Sequence, residues 1–241
     1  MIFRSVLYYI ALISCQFFST SINAQEKNAQ EILGRVSKKF QIINEYEANV
    51  TIKVDVDFIK IPIKKGTIWF MQPDKIKVKT PGFSLLPKRG MNFTPNQVFK
   101  GNYTAIYIRE EKIETIATHV IKIIPDNEQD EVILSTVWVD VERNVIRKLE
   151  STTKNEGTIS MVFKFGTPIK KFDLPDQILF TFDLRKNELP LGLTGDFEST
   201  PNKDKKLKNS KGTVTISYLE YFVNQGRAKS IFDDVKAKKS P

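Results

Sequence analysis

A scatter of carboxylates, one histidine and one cysteine are the residues of this chain whose types could do chemistry. Asp173 and Asp176 flank Leu174-Pro175. Paired carboxylates do the acid–base work of glycoside hydrolysis, and a hydrolase built on this pair would lose activity, not fold, when either is changed. A spacing of three residues in a turn is weak evidence for such a pair, and the segment reads as a break before a strand. Asp126, Glu128, Asp130 and Glu131 crowd one turn, as a calcium site or a solvated acidic loop would. His119, the only histidine, lies between Thr118 and Val120 with no Ser, Cys or carboxylate pattern directed at it, the setting of a structural histidine. No glycine-rich phosphate loop, no Gly-x-Ser-x-Gly elbow and no clustered zinc ligands occur. The sequence argues for no catalytic residue, no cofactor and no metal.

Cys15 is the one cysteine, and it sits in an N-terminal segment with the form of an export signal. Arg4 supplies a positive start, Val6 to Phe18 is apolar, and small residues lead to Ala24. The apolar run is shorter than the roughly 20 residues that cross a bilayer, so a secretory signal cleaved after Ala24 is expected. Leu12-Ile13-Ser14-Cys15 also fits the box at which bacterial lipoproteins are cut and acylated. That alternative makes the protein an outer-membrane lipoprotein anchored through Cys15, a lipid acceptor or sensor. Residues 25–241 are expected to form a single domain, without disulfides or a thiol nucleophile.

The elements that would hold any site are mostly strands. Tyr46, Ala48, Val50, Ile52, Val54, Val56 and Phe58 alternate with Glu45, Glu47, Asn49, Thr51, Lys53, Asp55 and Asp57. Successive side chains of a strand point to opposite faces, so this is a long strand with one dry and one wet side. Ile76 and Val78, and then Ile178, Phe180, Phe182 and Leu184, repeat the pattern. Further strands are expected over 103–109, 114–124, 132–140, 145–153, 158–165 and 213–223. One amphipathic helix is expected over 26–41, carrying Ile32, Leu33, Val36 and Phe40, and a short one after Thr94-Pro95. The stretch after Gly226 reads as a poorly ordered, lysine-rich end. The fold class is mainly β with few helices: one antiparallel sheet, too broad for so few helices to cover unless it curls over its own dry face.

The 241 residues carry a formal charge of +9, with lysines concentrated at 203–211 in a loop around 186–212. Such a stretch suits contact with an anionic membrane surface or, more simply, a solvated loop. No base-reading motif accompanies it, so no nucleic-acid partner is expected. Phe accounts for 17 residues, several of them on strand faces.

Three segments resemble a known family. Gly66-Thr-Ile-Trp69 through Gln72-Pro73 to Lys79-Thr-Pro81 resembles the strand–turn–strand signature of LolA-like periplasmic lipoprotein carriers. Trp138-Val139-Asp140 with the strand Val145–Glu150 is similar to a second signature, and Thr213 to Phe232, with Asn224-Gln225-Gly226, to the family's last strand and tail. The resemblance implies an open curved sheet (a half-barrel) with a helical lid over a hydrophobic cavity, and no catalytic residue or cofactor. It implies that acyl chains of lipoproteins are taken from an inner-membrane lipoprotein-releasing transporter to an outer-membrane acceptor. It also implies an arginine beside Pro73 that ties the lid, where this chain has Gln72. Burying a methylene is worth about 0.8 kcal/mol, so a chain of about 16 carbons needs such a dry shelter to cross water. The expected ligand lining is Val50, Ile52, Val54, Phe58, Trp69, Ile76, Val78, Phe163, Phe180 and Phe182, with Phe83, Leu85 and Leu86 edging the mouth. An outer-membrane barrel is the rival architecture, since alternation alone also fits a lipid face and a wet lumen.

Overall fold

The alternation of the long first strand sets the centre of the sheet. A computed structural model describes residues 20–56, 59–60, 62–80, 94–154, 157–166, 172–184 and 210–237. In chain order the elements are α1 (Thr20–Gln41), β1 (Glu45–Val56), β2 (Ile59–Lys60), β3 (Lys64–Met71), β4 (Lys75–Lys79), α2 (Pro95–Val98) and β5 (Tyr103–Ile113). There follow β6 (Ile116–Pro125), β7 (Val132–Asp140), β8 (Ile146–Thr153), β9 (Gly157–Lys164), β10 (Gln177–Leu184), β11 (Ser210–Val223) and α3 (Arg227–Ala237).

All eleven strands of the described residues belong to one antiparallel sheet in the order β4-β3-β1-β11-β10-β9-β8-β7-β6-β5, with β2 on β1 beside β3. From β5 to β11 this is a plain meander. The first strand then pairs with the last, so both ends of the chain meet mid-sheet. The outer strands β4 and β5 do not pair, and the sheet stays an open, curved half-barrel. An outer-membrane barrel has no free edge, so that rival is set aside by the topology.

Registers assign the dry face. Tyr46 stands opposite Phe70, Ala48 opposite Ile68, and Ile52 and Val54 opposite Ile216 and Val214. Ile178 faces both Ile216 and Phe163, and Phe180 faces Val214 and Met161. Ala29, Ile32, Leu33 and Val36 lay the apolar stripe of α1 against this face, in one continuous core with it. Two glycines permit close approaches. A Cβ on Gly66 would stand 2.9 Å from the Lys79 carbonyl, and the Phe182 ring covers Gly212.

Two expectations change. The helix at the N-terminal end starts at Thr20, earlier than residue 26. The stretch after Gly226 is the helix α3 instead of a loose end, because a residue far away in sequence caps it. Glu45 accepts from the Gly226 N–H at 2.8 Å and the Ala228 N–H at 2.6 Å, satisfying donors that a helix start leaves open. Asn224, at positive φ, accepts from the N–H groups of Asn44 and Glu45 and donates to the Ile42 carbonyl. The Asn-Gln-Gly motif thus staples the end of β11 to the start of β1. The lysine-rich stretch before β11 lies outside the described residues.

Candidate functional site: an aromatic groove beneath the N-terminal helix

Where β1 meets β11, one bulge decides the chemistry of the dry face. Asn49 pairs with Glu220 and Val50 with Tyr218, leaving Leu219 as the extra residue, well exposed. An extra residue turns the strand over. Tyr221 and Tyr218 therefore share the dry face, where strict alternation puts Phe222 beside Tyr218. Phe222 instead lies on the wet face opposite Glu47, with the Arg227 guanidinium 3.5 Å from its ring centre. Tyr218 and Tyr221 stack at 4.9 Å, and Tyr46 meets Tyr221 edge-on at 5.4 Å.

These rings belong to a groove whose roof is Val36 and Phe40 of α1, with Phe163, Phe165, Ile178, Leu174 and Pro175 along its sides. Burial pushes the Tyr46, Tyr218 and Tyr221 hydroxyls well above their ordinary ionisation range, so this tyrosine floor is uncharged. The charges of the lining, Lys39 and Asp173, pair with each other at the rim. The Tyr46 and Tyr218 hydroxyls bond to each other, and Tyr221 donates to the Pro175 carbonyl at 2.8 Å. Counted out to its open mouth, the groove holds about 680 Å³ of atom-free space, of which about 90 Å³ admits water. As closed, it takes a few waters and not a long acyl chain.

Polar residues hold α1 over the groove. Lys39 donates to Asp173 Oδ2 at 2.7 Å and to the Arg143 carbonyl. Arg143 grips both Asp173 oxygens, and Arg35 Nε donates to Asn144 Oδ1 at 3.0 Å. Asp140 Oδ1 accepts from the N–H groups of Glu142 and Arg143, and its other oxygen takes Arg147 at 2.8 Å, which fixes the turn presenting Arg143 and Asn144. At the C-terminal end of α1, beside Lys39, Gln72 Nε2 donates to the carbonyls of Ile43 and Phe40 at 3.0 and 3.5 Å. Asn96 of α2 donates to Gln72 Oε1 and the Pro73 carbonyl. Gln72 therefore ties the end of α1 to the turn between β3 and β4 and to α2.

Burial acts to raise the Asp173 carboxyl, but the hydrogen bonds from Arg143 and Lys39 outweigh it and hold the group below its ordinary range. The general acid of a glycosidase needs the opposite shift. Among the described residues, no three His, Cys, Asp or Glu side chains converge to hold a metal.

No family model matches this chain, and no curated protein does. Its fold is similar to a DUF1329 family protein from Desulfovibrio piger (TM-score 0.57, 9% identity, covering 88% of this chain and 98% of the other). It is also similar to a proposed outer membrane lipoprotein-sorting protein domain from Vibrio parahaemolyticus (TM-score 0.55, 10% identity, 88% and 100% covered). The fold is LolA-like. A LolA superfamily protein from Nitrosomonas europaea aligns at TM-score 0.48 and 14% identity over 82% of this chain and 94% of its own.

Within the LolA-like sheet, the residues singled out in the sequence fall into three groups. Val50, Ile52, Val54, Ile76, Val78, Phe163, Phe180 and Phe182 share the dry face, and Phe163 also borders the groove. Trp69 does not join them. It pairs with Glu47 on the wet face and donates to Glu47 Oε2 at 2.7 Å, while Ile68 and Phe70 point inward. The run Ile68-Trp69-Phe70-Met71 is apolar on both faces, so alternation could not choose between them. Phe58, Phe83, Leu85 and Leu86 lie outside the described residues. The tyrosine trio and the Lys39–Asp173–Arg143 latch have no local signature, since their partners are distant in sequence.

Proposed function

We propose that this chain is a non-enzymatic carrier that shelters acyl chains of lipoproteins between α1 and the open sheet and delivers them to the outer membrane. The observation that carries the reading is the groove with its aromatic floor, roofed by a helix whose polar ties are concentrated at its rim. Water-bridged or direct polar ties can be exchanged with solvent at small net cost, whereas a wholly apolar seam would have to expose its area to open. Displacing α1 would uncover the wall formed by Val50, Ile52, Val54, Ile76, Val78, Phe180 and Phe182. That wall supplies what the closed groove lacks in length.

The fold shared with a proposed lipoprotein-sorting domain supports a periplasmic setting, with an inner-membrane transporter as donor and an outer-membrane acceptor. In this reading the mature domain starts at Gln25, after cleavage at Ala24, and keeps the whole apolar stripe of α1 from Ala29 onward. Intact mass of the exported protein discriminates: an unmodified Gln25 start fits a shuttle, and a lipid-bearing Cys15 fits the anchored acceptor.

Uptake is the direct test. Delipidated protein titrated with a fluorescent fatty acid should give saturable binding with emission shifted toward that of an apolar environment. A titration indistinguishable from a non-binding control would remove the carrier reading.

A further inference from the structure

The groove contains one polar atom with nothing to bond. Thr94 lines it, is 7% exposed, and its Oγ1 has no hydrogen-bond partner among the described residues. Thr94 stands at the N-cap of α2, where its carbonyl accepts from the Val98 N–H at 3.1 Å, but its Oγ1 makes no capping bond. A buried hydroxyl left unpaired is unfavourable by as much as a hydrogen bond is worth, so its persistence points to a partner that arrives with the ligand.

A second observation lies at the mouth. Lys39 and Asn144 are shared between the groove and an adjoining open hollow, whose other walls are Arg35, Lys38, Arg143 and Glu142. Four cations and one carboxylate line this hollow. Asp173 answers Lys39 and Arg143, and Glu31 answers Arg35, so Glu142 is left beside an exposed Lys38. About 290 Å³ there admits water, room for a small headgroup.

We propose that groove and hollow are one site, for an ester-linked acyl chain that carries an oxyanion head. The chain lies on the tyrosine floor, Thr94 Oγ1 donates to an ester oxygen, and the phosphate or carboxylate head sits over Lys38, Lys39 and Arg35. This rests on the acyl-carrier reading and adds to it the class of ligand: acidic lipids bind in preference to zwitterionic ones of the same chain. Cationic side chains hold such a head through charge-assisted hydrogen bonds, which are stronger than neutral ones.

The test is displacement of a bound fluorescent fatty acid by lysophosphatidylglycerol and by lysophosphatidylcholine of equal chain length. The anionic lysolipid should displace at roughly fivefold lower concentration, and the double variant Arg35→Gln/Lys38→Gln should abolish that difference. Thr94→Val, which keeps the shape, should weaken both lysolipids by roughly fivefold while raising the unfolding midpoint of the empty protein. A Thr94 that merely filled space would move neither in that direction. Equal displacement by the two lysolipids, unaltered in the variants, overturns the head site and leaves the carrier standing. Failure of the fatty acid itself to bind removes both.

Discussion

Asp173 is where one carboxylate joins three parts of the chain: Lys39 reaches it from α1, Arg143 from the β7–β8 turn, and it lies in the segment leading into β10. With its side chain almost fully buried, Asp173 cannot lose its charge without stranding two cations. Asp173→Asn should therefore destabilise the protein by about 2 kcal/mol in urea unfolding, whereas an exposed pair would be worth less than about 1 kcal/mol. The pH dependence has a definite sign. The folded carboxyl is held below the unfolded value near 3.8, so the latch contributes fully above that pH and is lost as pH falls through the lower, folded value. Amide exchange in α1 should accelerate on acidification below about pH 4 in the wild type. Asp173→Asn should start fast and show no such transition.

Whole elements depend on residues outside them. α3 has no local capping residue, and Glu45 of β1 does that work, with Asn224 closing the corner. Glu45→Ala should release α3, with loss of about 1 kcal/mol or more and early proteolysis after Gly226, while the β-sheet circular dichroism signal persists. Proteolysis unchanged from wild type would mean that packing alone holds the helix. The bulge at Leu219 shows the same dependence. It exposes an apolar residue so that Tyr218 and Tyr221 can both face the groove.

Over the whole molecule, an open sheet leaves a dry face that α1 only partly fills, and the closed groove is too small for a long acyl chain. On the carrier reading, a long acyl chain therefore enters through a state with α1 displaced. Weakening the latch by about 2 kcal/mol would raise the population of that state by well over tenfold. In stopped-flow fluorescence, Asp173→Asn should take up a fluorescent fatty acid at least about tenfold faster than wild type. An unchanged rate would mean that the ligand enters without moving the helix.

The amino-acid order alone determined the mainly-β fold, the dry stripe of β1 and the apolar stripe of α1, because periods of two and 3.6 residues are properties of neighbours along the chain. It placed Val50, Ile52 and Val54 on one face for the same reason. Only the tertiary structure decided that Trp69 lies on the outer face of the sheet and Phe70 in the core, that a bulge brings Tyr221 inward, and that Gln72 ties α1. It also placed Asp173 with Lys39, 134 residues away. Those outcomes depend on strand register and on side chains meeting across the fold, which no local pattern in the sequence specifies.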